Sequence, residues 1–234
     1  MIKALFFDIF GTMVEWRSSI IKGAKNIDVF HDRIADLERL VINWRKEYQP
    51  ILKKVNNNNI SWKTLDELHE ITLDKVLKKM NFSEVSTKDK KYLIMLWHKL
   101  DPWKDSSFCI NELNKNYITA SLSNGNIKLQ KNLFNHAKLK FDFIFSAEHF
   151  KKYKPDRIVY LGAAEMLNLH VEQCALVASH KNDLFAASEL GMKTVHIKRE
   201  KEYGNFKREF KELEFKSDLE VSCLKNMIKK LKKI

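Results

Sequence analysis

Cysteine, proline and glycine are all scarce in this chain of 234 residues: three cysteines, three prolines and six glycines. The cysteines (Cys109, Cys174, Cys223) are odd in number and widely spaced. That argues against a disulfide framework or a zinc site and leads us to expect free thiols in a reducing cytoplasm. Neither GxGxxG nor GxxxxGK[ST] occurs, so dinucleotide and P-loop phosphate binding have no motif support. No apolar run approaches the roughly 18–20 residues that cross a bilayer. The apolar stretch at the N-terminus is short and is broken by Asp8, which is not the layout of a signal peptide. No internal repeat is present.

What the chain has in excess is positive charge, a formal +12 at neutral pH. A basic protein attracts nucleic acid, anionic membranes or small anions. The lysines are scattered, apart from the tail "LKNMIKKLKKI". There Leu224, Met227, Ile228 and Leu231 recur at helical intervals and predict a terminal amphipathic helix packed on the protein, with its lysines solvated. Small anions are therefore the expected partners, without nucleic acid or membrane.

The organisation is that of an α/β protein. Residues 3–7 predict a buried strand that ends at Asp8 and turns at "GT". From about residue 28 to 100 the pattern is helical. Ile34, Leu37, Val41, Trp44, Tyr48 and Leu52 define one helix, with a polar "NNNN" connection at 56–59. Leu65, Leu68, Val76 and Met80 define a second, and Leu93, Leu96, Trp97 and Leu100 a third, which "LDPWKD" breaks. Strands at 117–123, 141–147, 174–179 and 193–197 then alternate with helices, which implies a parallel sheet of βαβ units. The expected fold is a Rossmann-like parallel sheet with helices on both faces. Its core domain is residues 1–14 and 101–234, and residues 15–100 form an inserted helical cap domain.

In open α/β sheets, ligands bind beyond the carboxyl ends of the strands, and polar residues gather at that edge here. Asp8 ends the first strand and Ser123-Asn124-Gly125 the second. Lys154 follows the third, and Ser179-His180 with Asp183 follow the fourth. Each has an ordinary alternative: a turn aspartate, a helix cap, a surface lysine, an N-cap aspartate. Their convergence on one edge favours a site. A carboxylate at the end of a buried strand costs several kcal/mol unless it is paired or used.

In order, "FFDIFGT", "SLSNG", "KYKPD" and "HKNDL" resemble the four motifs of the haloacid dehalogenase superfamily, and the resemblance spans essentially the whole chain. "GTMVEWRSSI", "NWRKEYQPIL" and "TLDELHEITLDKVL" are similar to the type II (L)-2-haloacid dehalogenases, cap included. This resemblance implies that Asp8 is a carboxylate nucleophile, with Thr12 in the same motif. It also implies that Ser123 and Asn124 bind the substrate anion, that Lys154 balances the nucleophile's charge and that Asp183 assists. Arg45 matches the arginine that binds the departing halide, and Tyr160 matches the family tyrosine six residues after the lysine. Solvent exposure is the alternative for Arg45, and helix packing for Tyr160.

Phosphatases of the superfamily read DxDxT, the second aspartate protonating an alkoxide leaving group. Phe10 stands there and supplies only an apolar wall, which suits a halide that leaves without a proton. Phosphatases also hold magnesium with acidic residues in the fourth motif, where Asp183 is the only carboxylate. The sequence departs from the family at Ala178 and His180, where well-known members carry serine and asparagine, so water positioning cannot be carried over. His180 becomes a candidate base or donor. The implied activity is cofactor-free, metal-free hydrolysis of short 2-haloalkanoic acids in a cytoplasmic homodimer. The alternatives are a magnesium-dependent phosphatase of a small phosphorylated metabolite and a non-catalytic basic binding protein.

Overall fold

A computed structural model describes residues 1–206 and 213–231; the last three residues of the basic tail lie outside the described residues. The first strand, β1 (Ala4–Phe7), is fully buried. A short strand, β2 (Val14–Glu15), leads into five helices, α1 (Trp16–Ala24), α2 (Ile34–Lys46), α3 (Tyr48–Asn56), α4 (Leu65–Lys79) and α5 (Thr87–Leu96). The chain returns through β3 (Asp101–Pro102), which pairs antiparallel with β2. It continues as α6 (Ser106–Leu113), β4 (Ile118–Ser123), α7 (Ile127–Ala137), β5 (Phe143–Ser146), α8 (Ala147–Phe150) and α9 (Arg157–Met166). The remaining elements are β6 (Cys174–Ala178), α10 (Lys181–Ser188), β7 (Lys193–Ile197), β8 (Leu219–Val221) and α11 (Leu224–Lys230).

Six strands form one parallel sheet in the order β5-β4-β1-β6-β7-β8. Strands covered on both faces read as continuous apolar runs rather than alternating ones, as in the β1 sequence ALFF. Alternate side chains feed two cores. Phe6, Leu122 and Leu176 pack with Val159, Ala163 and Leu184 from α9 and α10. Leu5, Phe7 and Val177 pack with Ile110, Leu129 and Met227 from α6, α7 and α11, in a core that runs on into the helices of 16–100. Helices therefore cover both faces, as the sequence predicts. Among the described residues no helix is long and apolar enough to cross a membrane.

The structure corrects the element boundaries in several places. The single helix predicted through Ile34 and Leu52 is two, parting at Glu47. Pro50 has no N–H to give to the preceding turn, and it fits only in the first turn of a new helix. The third predicted helix ends at Leu96, and a 3₁₀ turn, Trp97–Lys99, carries the chain to Leu100. Helices α1, α6 and α8 and strands β2, β3 and β8 are not among the elements the sequence pattern predicts. In α4 the start is set locally: the Thr64 hydroxyl accepts the Glu67 N–H while the Glu67 carboxylate accepts the Thr64 N–H, a capping box.

Candidate active site

The turn after β1 places Asp8 at the centre of the sheet's carboxyl edge, its backbone N–H still on the Val177 carbonyl at 3.0 Å. The side chain is buried but fully partnered. Thr12 Oγ1 donates to Asp8 Oδ2 at 2.7 Å and in turn accepts the Ser179 N–H at 2.9 Å. Lys154 Nζ donates to Asp8 Oδ1 at 3.1 Å and to Asp183 Oδ2 at 2.5 Å. His180 Nδ1 lies 3.4 Å from Asp8 Oδ2. Burial alone would raise the Asp8 pKa, but Lys154, His180 and Thr12 together hold it well below the ordinary carboxylate range. Asp8 is therefore an anion at neutral pH. Burial also works against a charged Lys154, yet Asp183 and Asp8 outweigh it and raise its pKa. Asp183 is raised by burial and, against Lys154, by the nearby Asp8 charge.

A cavity of about 310 Å³ opens over these groups. Asp8, Phe10, Arg45, Asn124, Lys154, His180 and Asp183, all expected at the site, line it. Phe10 is nearly inaccessible and its ring meets Trp97 edge-on at 5.6 Å, an apolar wall fixed from behind. Arg45 lies over Tyr48, 4.2 Å from the ring centroid, with Nη1 buried and without a hydrogen-bond partner among the described residues. A buried guanidinium donor without a partner is costly, and an anion in the cavity would satisfy it. Arg45→Lys exchanges a planar fork of donors for a point charge. It is expected to lower kcat/KM for 2-chloropropionate about 10-fold, or roughly 1.4 kcal/mol; unchanged kcat/KM would place Arg45 outside the reaction.

Ser123, Tyr160 and Thr12 do not line the cavity. The Ser123 hydroxyl accepts the Gly125 N–H at 3.0 Å and closes the turn after β4. Tyr160 sits behind Asp183, donating to its Oδ1 at 2.5 Å. The same turn presents Asn124, whose Oδ1 accepts the Lys154 N–H at 2.8 Å.

Sequence reasoning missed Glu202 and Tyr48. Glu202 follows β7, is 3% exposed, and accepts from His180 Nε2 at 3.0 Å and Trp16 Nε1 at 2.9 Å. Burial by itself would lower the His180 pKa, but Glu202 and Asp8 raise it to about 9. Gly11 makes room for this pair: its φ is +87°, and a Cβ there would collide with the Glu202 carboxylate. Tyr48 reads as one more apolar helix position, yet it lines the cavity beside Gln49. One signal for Glu202 existed, since the segment after a fifth parallel strand also leaves the sheet at its carboxyl edge.

Fold and site together define a doubly wound α/β protein with its polar residues gathered where the strands end. The family profile for haloacid dehalogenase-like hydrolases matches residues 2–191, and the chain belongs to that family. It is similar to the (S)-2-haloacid dehalogenase 4A of Burkholderia cepacia, 27% identical over 206 residues that cover 85% of this chain and 84% of that one. Among solved structures it resembles an L-2-haloacid dehalogenase at 34% identity and TM-score 0.87, covering 99% of this chain and 100% of the other. It also resembles a defluorinating L-2-haloacid dehalogenase at 30% identity and TM-score 0.90, covering 99% and 95%.

Proposed function

We propose that this protein hydrolyses short 2-haloalkanoic acids, haloacetate and L-2-halopropionate, to 2-hydroxy acids through an ester on Asp8. The observation that carries this reading is the ammonium of Lys154 held between Asp8 and Asp183 beneath an apolar wall at Phe10. An anionic carboxylate in such a site is poised to attack carbon. Asp8 displaces halide from C2 with inversion, Arg45 receives the departing anion, and residues 15–100 serve as the cap domain that supplies Arg45 and Tyr48.

Glu202 and Asp8 together keep His180 protonated; esterification removes the Asp8 charge, which lowers the His180 pKa and favours release of its proton to solvent. Glu202 holds Nε2–H, which leaves the Nδ1 lone pair facing the ester. His180 then takes a proton from water as it attacks the ester carbonyl carbon. Collapse expels the 2-hydroxy acid, which keeps the second proton, and restores the Asp8 carboxylate beside a protonated His180. Thr12 and Lys154 each hold one oxygen of the Asp8 carboxyl, so the one that remains the carbonyl oxygen of the ester keeps a donor as its charge develops.

The donor set does not suit a divalent cation. Lys154 already occupies the place between the two carboxylates, and Tyr160 takes the remaining Asp183 oxygen. Exhaustive EDTA treatment is expected to leave chloride release from 2-chloropropionate unchanged, with no phosphate released from phosphomonoesters. Loss of activity restored by Mg²⁺ would replace this reading with the phosphatase one. The homodimer and the cytoplasmic location belong to the same proposal, supported by the family resemblance and by three free thiols, which suit a reducing compartment.

A further inference from the structure

The polar run at 56–59, which in the sequence is a plain connection, makes an unusual contact at its first residue. Asn56 ends α3, and its side-chain amide pairs with both backbone groups of Tyr153. Nδ2 donates to the Tyr153 carbonyl at 2.7 Å, and Oδ1 accepts the Tyr153 N–H at 2.9 Å. The Asn56 carbonyl also accepts from Lys152 Nζ at 2.7 Å. At the far end of the same connection, the Lys63 carbonyl accepts the Tyr153 hydroxyl at 2.6 Å, and Trp62 stacks on the Tyr153 ring at 4.7 Å. Tyr153 is fully buried, so Asn56 satisfies backbone groups that water does not reach.

The next residue is Lys154. Its own N–H is held by Asn124, so one asparagine from the helical segment and one from the sheet fix successive residues of a single loop. A lysine side chain is rich in rotamers. Holding its tip on two carboxylates at once therefore depends on where its backbone starts. We infer that Asn56 is a positioning residue: it clasps the loop that carries Lys154 and ties the lysine's placement between Asp8 and Asp183 to the seating of residues 15–100 on the sheet. This rests on the dehalogenase reading for the consequence in turnover, but not for the clasp itself.

Three readouts on the full chain test it: kcat and KM for 2-chloropropionate, the acid limb of the pH–rate profile, and backbone hydrogen exchange of peptides spanning 151–155. Asn56→Ala is expected to lower kcat by roughly 10-fold or more, since small displacements of a positioned group are that costly, with a smaller change in KM. A loosened Lys154 stabilises the Asp8 anion less, so the acid limb moves to higher pH, and exchange at 151–155 accelerates. Asn56→Asp keeps the acceptor for Tyr153 N–H and loses the donor. It is expected to shift all three in the same direction by less, and it serves if the alanine variant does not fold. Asn57→Ala and Asn59→Ala, at exposed positions of the same run, are expected to match the parent. Parent-like kcat, or a lowered Tm with the acid limb unmoved, overturns the inference, as does unchanged exchange at 151–155. If the parent releases no halide, the functional reading fails, and the exchange data alone still decide the clasp.

Discussion

Replacing Asp8 by asparagine is expected to abolish turnover while leaving the protein folded. The amide lacks the anionic oxygen that attacks C2, and loss of a covalent nucleophile is expected to cost at least about 10⁴-fold in kcat, roughly 5.5 kcal/mol. Stability should behave differently. Removing one member of a buried ion pair is usually destabilising because the other is stranded. Here each cation that Asp8 touches keeps another carboxylate: Lys154 keeps Asp183, and His180 keeps Glu202. Halide release measured alongside thermal unfolding checks both halves. A variant that retains a tenth or more of parental activity would remove Asp8 from the chemistry, and one that unfolds would show that Asp8 is indispensable to the charge balance.

The second large effect is expected at His180, and it separates the two half-reactions. His180→Ala leaves Asp8 ionised, because Lys154 and Thr12 still hold it, so the alkylation step proceeds. Ester hydrolysis then lacks its base, a loss of about 10²–10⁴-fold for general base catalysis. Mixing the variant with 2-chloropropionate is expected to release one chloride per site in a burst and then stall, with Asp8 carrying the substrate's carbon skeleton in a mass-mapped peptide. Glu202→Gln is expected to slow the same step less, since it keeps an acceptor for Nε2–H but loses the charge. Steady turnover at the parental rate by His180→Ala would assign ester hydrolysis to another base.

How far the sequence reached differs between the sheet and the site. The strands were legible because a parallel strand buried on both faces has to be a continuous apolar run, as ALFF and CALVA are. Asp8, Lys154 and Asp183 were legible because polar residues at successive strand ends stand out against such runs. Helix α1 was not: its buried Trp16, Ile20 and Ala24 are interleaved with Arg17, Ser18 and Lys22 over too short a span to establish a period. Glu202 was hidden in a charged stretch that reads as solvated, and only the fold brings it under Trp16 and His180. Asn56 was hidden for the opposite reason, since in a run of four asparagines nothing local marks the first as the one that meets Tyr153. Contacts across more than a hundred residues, such as Thr12 with Ser179, set the chemistry of the site, and no local period encodes them.

The central claim is that the hydroxyl oxygen of the product comes from Asp8. With enzyme in excess over L-2-chloropropionate in ¹⁸O-water, a single turnover distinguishes the routes. Water attacks the carbonyl carbon of the ester, not the substrate carbon. The expected result is first-turnover D-lactate without label at its hydroxyl, and ¹⁸O in the peptide that contains Asp8. Labelled lactate with an unlabelled enzyme would contradict it, and would make Asp8 a general base for water attacking C2.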